Sequence, residues 1–135
     1  VVAAENDVCI DSVFGKYPGL TVQSLMKPGY RDFFNVPVFQ QILADQQMGT
    51  AGTFPAEPLF MAVGNSDGQG DGVMNAADVR SLAHQYCEKG VPVEFQEYTG
   101  ASHETAGAFF EPQTATFLQG RLNGLPFVGN CSQIR

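Results

Sequence analysis

The stretch Leu59-Phe-Met-Ala-Val63 constrains the fold more than any other part of the chain. It is a continuous apolar run closed by Pro58 and Gly64. A strand with one wet face would alternate, so an unbroken run marks a strand buried on both faces. A glycine-rich loop over 64–72 follows. Asn75 with Asp78 then resembles a helix start, Val79, Leu82, Ala83 and Tyr86 recur at helical spacing, and Lys89-Gly90 supplies a stop. Val91, Val93 and Phe95 alternate with Pro92, Glu94 and Gln96, which predicts a second strand running to Tyr98. After the loop Thr99–Glu104, a last helix is expected to start near Pro112, carry Ala115, Leu118 and Leu122 inward, and end before Gly124. Strand, helix, strand, helix is a βαβ order, so the class is α/β with a parallel sheet and a right-handed crossover. Two strands do not make a stable parallel sheet alone. The pattern therefore implies a larger sheet, and an isolated piece would have an open edge through which to self-associate.

Upstream of Leu59 the chain reads as helices and connections. Asn6-Asp7 caps a short expected helix through Val8, Val13 and Phe14, ended near Gly15 and Pro18. A second helix follows Asn35, with Pro37 in its first turn, an apolar face of Phe39, Ile42 and Leu43, and Gly49 as its stop. Proline and glycine crowd the next segment up to Pro58, which divides a helical part, 1–54, from an α/β part, 55–135. No apolar run approaches the roughly 20 residues needed to cross a bilayer. The net charge is −7 with no basic cluster, which argues against nucleic acid and anionic membrane surfaces as partners. Opening on Val1 rather than Met, the chain reads as a piece cut or processed from a longer one. Its three cysteines, Cys9, Cys87 and Cys131, show no CxxC spacing and no clustering with His84 or His103, the wrong pattern for zinc. An odd number leaves one thiol without a partner inside these residues.

In open α/β sheets, working side chains collect in loops just past the carboxyl ends of strands. Two such loops exist here: one carries Asp67 and Asp71, the other His103. A histidine flanked by Ser102 and Glu104 is ordinarily just solvated. An acid after one strand and a histidine after the next is, however, the arrangement in which a carboxylate fixes the tautomer of an imidazole.

These loops and their flanks resemble the secretory lipases, a family of α/β-hydrolases. The resemblance is carried by Pro58-Leu-Phe-Met-Ala-Val-Gly64, Asp71-Gly-Val-Met74 and Cys87-Glu-Lys-Gly90. It continues through Val93-Glu-Phe-Gln-Glu-Tyr98, the His103 loop, Arg121-Leu-Asn-Gly-Leu-Pro126 and Asn130-Cys131. It implies the carboxy-terminal part of an α/β-hydrolase, in which His103 matches the catalytic base and an aspartate in the preceding strand-end loop orients it. Matching from the strand selects Asp67 and matching from the helix selects Asp71. Asp71 is preferred because it keeps the family's distance to the helix and to His103, and because Val73 beside it can anchor the loop in the core. The resemblance further implies a Cys87–Cys131 disulfide, with the partner of Cys9 in an amino-terminal half outside this chain. Residues 1–54 resemble the end of the family's cap more loosely. The implied protein is a secreted lipase or esterase acting on acylglycerols or other apolar carboxylic esters, without a cofactor. Its nucleophile and oxyanion hole would lie upstream, so this chain alone is expected to be inactive.

Two local patterns compete with that picture. Gly64-Asn-Ser-Asp-Gly68 spells a nucleophile elbow around Ser66, but Gly68, Gly70 and Gly72 are hostile to the helix that must begin at such a serine. Asp67, Gln69, Asp71 and Asp78, with Gly72 at the turning position, place oxygen ligands in calcium-loop order, as in a dockerin-like binding module. An Asp71 spent on calcium could not also orient His103. His84 lies off the apolar face of its helix and is expected to be solvated. Phe109, Phe110 and Phe117 suit the core, with an acyl-binding wall as the alternative.

Overall fold

The computed structural model describes residues 24, 26–29, 33–49 and 52–135. Cys9 and the helix expected after Asn6-Asp7 lie outside the described residues. Two compact units divide the chain, Val1–Gln46 and Gln47–Arg135.

In the first unit a 3-10 turn, Phe33–Asn35, leads into helix α1, Pro37–Gln46. Pro37 takes the opening position, where its missing N–H costs nothing. Ile42 and Leu43 are exposed within this unit.

The second unit is built on strands β1, Leu59–Asn65, and β2, Val93–Thr99, paired in parallel with Leu59 opposite Val93 and Asn65 opposite Thr99. Helix α2, Ala76–Glu88, connects them, and helix α3, His103–Leu122, follows β2. Leu59, Met61 and Val63 of β1 and Val93 and Phe95 of β2 face one way, into a core with Ala76, Ala83 and Tyr86 of α2. The opposite face carries Phe60, whose ring stacks on Phe110 of α3 at 4.7 Å and approaches Phe117 at 5.8 Å. The sheet thus has one helix on each side.

Local chemistry accounts for most element ends. Asn75 caps α2, its side chain accepting from the Ala77 N–H at 2.9 Å. At the other end Gly90 turns with φ +81°, and the N–H groups of Gly90 and Val91 donate to the carbonyls of Cys87 and Tyr86. That is a Schellman stop, and it explains why β2 begins at Val93 rather than Val91. The Val91 amide is already used by the helix, and Pro92 has none to give.

Three expectations need correction. The last helix starts at His103, well before Pro112, because the Ser102 side chain caps it by accepting from the Thr105 N–H at 3.3 Å. Pro112 sits in the helix interior, where it forfeits one backbone bond. Leu118 and Leu122 do not point inward. They are 52% and 83% exposed, because Phe110 and Phe117 occupy the face that meets Phe60. Val73 does not anchor its loop either. It is 62% exposed, and the buried members of that loop are Gly70 and Asp71.

The tail returns across β2. Cys131 is bonded to Cys87. The Asn130 side chain imitates a strand, accepting from the Phe95 N–H and donating to the Phe95 carbonyl, both at 2.8 Å. Gly129 passes so close to Val93 that a Cβ there would collide with its backbone.

Candidate active site

The loop after β1 folds back on itself before α2 begins. The Ser66 N–H donates to the Gly70 carbonyl, the Asp71 N–H to Met74, and the Ala76 N–H to Gln69. Inside that hairpin Asp71 is 3% exposed, and its two carboxylate oxygens have separate duties. One accepts from the Val73 and Met74 N–H groups at 2.9 and 2.7 Å. The other meets Nδ1 of His103 at 2.9 Å. Burial pushes this carboxyl up, but the Met74 N–H, the His103 ring and the Val73 N–H together outweigh it and hold it at about 2. At neutral pH Asp71 is therefore an anion that can only accept, so Nδ1 of His103 must be the donor.

His103 is fixed by its backbone as well. It is the first residue of α3, and its N–H is one of the donors a helix start leaves unpaired. The Asp71 carbonyl accepts it at 2.9 Å. Asp71 thus grips His103 at both main chain and ring. The ring is nevertheless half exposed, 49% for the side chain against 1% for that of Asp71. Among the described residues Nε2 has no hydrogen-bond partner. With Nδ1 carrying the proton, the neutral ring presents a lone pair outward at Nε2, the form a general base needs.

Gly64, the penultimate residue of β1, makes the approach possible. A Cβ there would collide with the Ala101 carbonyl and sit 2.8 Å from Asp71 Cβ and 3.0 Å from the Ser102 carbonyl. In the sequence Gly64 stands out as a strand end and as the first glycine of the Gly64-Asn-Ser-Asp-Gly68 pattern, not as a point of close approach. Its signal is a glycine between an apolar strand and an acid-bearing loop, a position where backbones approach closely. Next to it, Asn65 donates to Glu97 at 2.6 Å, and Glu97 also pairs with Arg80 of α2. Burial pushes Glu97 up, but the bonds from Arg80 and Asn65 hold it below its ordinary value.

The remaining candidates separate from this pair. Asp67 turns back on its own loop, accepting from the Gln69 and Gly70 N–H groups at 2.8 and 2.9 Å, which lower its pKa. The structure brings Asp71, not Asp67, to His103. Ser66 donates its hydroxyl to the Gly70 carbonyl at 3.1 Å, and no helix starts until Ala76, so its surroundings are not those of an elbow. Among the described residues no group of three or more His, Cys, Asp or Glu is arranged to hold a metal ion. Of the residues in calcium-loop order, Asp67 accepts from the Gln69 and Gly70 N–H groups, and Asp71 from the Val73 and Met74 N–H groups and the His103 ring. His84 is exposed on α2, 3.8 Å from Glu88.

A hollow of about 260 Å³ opens beside His103 and Asp71, walled by Ala62, Met74, Ala106, Gly107 and Phe110. A larger cavity of about 480 Å³ lies farther along α3, around Phe60, Phe117, Arg121 and Phe127. It touches neither Asp71 nor His103, so the smaller one adjoins the chemistry. Phe109 stays half exposed beside Tyr98, whereas Phe110 is at once core, against Phe60, and wall of the hollow. Among the described residues no helix is long and apolar enough to cross a membrane.

A model of the secretory lipase family matches residues 3–130 of the chain. No curated protein and no solved structure gives a significant match.

Proposed function

Because the chain belongs to the secretory lipase family of α/β-hydrolases, we propose that Asp71 and His103 are the acid and base of a serine triad. Its nucleophile would come from polypeptide outside these 135 residues. Nε2 of His103 takes the serine proton as Oγ attacks the ester carbonyl. Asp71 stabilises the imidazolium so formed, and His103 then gives the proton to the leaving alcohol. In the second half Nε2 takes a proton from water, the hydroxide attacks the acyl-enzyme, and the serine leaves with that proton. No step needs a cofactor. The substrates are acylglycerols or other apolar carboxylic esters, and the site of action is extracellular, where the Cys87–Cys131 bond would persist. Residues 1–54 are read as the end of a cap, and 55–135 as the sheet portion that carries the pair.

The observation that carries this proposal is the division of labour on one ring. Nδ1 is held by a buried carboxylate at 2.9 Å while Nε2 is left free at the surface. A solvated loop histidine would have neither a buried anion behind it nor a fixed backbone. The test is His103→Ala in the complete enzyme, assayed on p-nitrophenyl butyrate. The expected fall in kcat is about 10³-fold or more. Near-normal turnover would remove His103 from the site.

A further inference from the structure

A second carboxylate, outside the proposed catalytic pair, joins three elements of the fold. Glu97 lies on β2 and continues the face of Val93 and Phe95, both core residues, yet it is charged and its side chain is only 21% exposed. Its two oxygens have separate partners. Oε1 accepts from the Asn65 side-chain amide at 2.6 Å, and Oε2 pairs with the Arg80 guanidinium. Burial pushes its pKa up, but these two bonds outweigh burial, so Glu97 is an anion at neutral pH. The two partners mark the two roots of the hairpin that presents Asp71. Asn65 ends β1 immediately before the hairpin, and Arg80 sits in the second turn of α2, which begins immediately after it. Among the described residues Oδ1 of Asn65 is buried without a partner, so Glu97 alone orients that side chain. The main chain repeats the connection: the Gly100 N–H, in the loop that leads to His103, donates to the Asn65 carbonyl at 2.8 Å.

Stability does not account for this arrangement. A partly buried ion pair contributes little beyond apolar groups of the same shape, and Val93 and Phe95 show that apolar residues suit this face. What the charged group adds is direction, since hydrogen bonds fix distance and angle whereas apolar contacts do not. Resting on the proposed triad, we infer that Glu97 is a positioning residue for it. By tying both roots of the Asp71 hairpin to the strand that leads to His103, it keeps the Asp71 carboxylate at 2.9 Å from Nδ1. It acts through Asn65 and α2 and does not touch the reacting atoms.

The experiment measures kcat and KM of the complete enzyme on p-nitrophenyl butyrate, well below the Tm of every variant. Glu97→Ala is expected to lower kcat about 10- to 100-fold with KM within about twofold, the scale on which small misplacements of reacting groups act. Arg80→Ala and Asn65→Ala, each freeing one root, are expected to lower kcat less, and Arg80→Lys, which keeps a cation for Oε2, to recover most of the Arg80→Ala loss. In an Asp71→Asn background Glu97→Ala should lower kcat no further, because the contact it protects is already broken. Asn130→Ala is the stability control. Its side-chain bonds go to Phe95 on the same strand, so it is expected to lower Tm and leave kcat unchanged. Unchanged kcat in Glu97→Ala would overturn the inference. So would an equal loss in Asn130→Ala, or the same fractional loss with Asp71→Asn as without it, since either assigns Glu97 to the stability of β2. If Glu97→Ala does not fold, Arg80→Ala must still lower kcat and Arg80→Lys restore it; no difference between these two would overturn the inference as well. His103→Ala, run alongside, separates the two levels. If it abolishes turnover while Glu97→Ala leaves kcat intact, only the positioning role fails; if it leaves turnover intact, the triad reading beneath it fails.

Discussion

Replacing Asp71 by asparagine tests the pair in two independent ways. The amide keeps one acceptor oxygen for the Val73 and Met74 N–H groups, so the hairpin that presents it need not open. The other position becomes an NH2 facing Nδ1 of His103. Two donors cannot share a hydrogen bond, so the ring must place its proton on Nε2 and accept at Nδ1. The base is then blocked with its geometry intact, and kcat should fall on the order of 10⁴-fold, as wrong-tautomer triads do. The second readout is stability. Asp71 is held at about 2 in the folded protein against 3.8 for the free side chain. At about 1.36 kcal/mol per pH unit, its ionised form contributes roughly 2.5 kcal/mol near neutrality. Because the folded value is depressed, that contribution is complete above about pH 4 to 5 and is lost as pH falls towards 2. Urea unfolding between about pH 5 and pH 2 should cost wild type about 2 kcal/mol that Asp71→Asn does not lose. A variant keeping a tenth or more of its activity would refute the tautomer argument. Parallel acid profiles would show that Asp71 is not the strongly stabilised anion described here.

Three further perturbations have defined outcomes. Cys131→Ser should lower stability by about 4 kcal/mol in the loop-entropy model, since the bridge spans a sequence separation of 44. Non-reducing peptide maps should show Cys87–Cys131, and a Cys9–Cys87 product would contradict it. Gly64→Ala forces apart the segments bearing Asp71 and His103. It should cost about 1–3 kcal/mol and lower kcat more than it raises KM, so unchanged kinetics would show that their approach is not under steric control. Ser66→Ala in the complete enzyme should leave kcat within about twofold, since this hydroxyl serves its own loop, and the 135-residue chain alone should show no ester turnover above background. Turnover by that chain that disappears with Ser66 would overturn the proposed external nucleophile.

What the sequence determined by itself was local. The run at Leu59, the alternation through Val93 and Phe95, the Asn75 cap and the Lys89-Gly90 stop each depend on residues a few positions apart, and β1, α2 and β2 appear where those patterns put them. The family was legible for the same reason, in short stretches around both loops. Tertiary structure decided wherever two segments compete for one neighbour. Pro112 looked like a helix start until Ser102 capped α3 earlier, and Leu118 looked internal until Phe110 and Phe117 took the face against Phe60. Asn130, a polar residue in an unremarkable tail, became the edge partner of Phe95. Asp67 and Asp71 share one loop and one residue type, so spacing left both open. Only the fold of the hairpin turns Asp67 onto its own backbone and delivers Asp71 to His103. The physical reason is range. Periodicity and capping are written into neighbouring residues, whereas the meeting of a carboxylate and an imidazole requires two distant loops to approach, with nothing larger than a hydrogen atom on Gly64 between them.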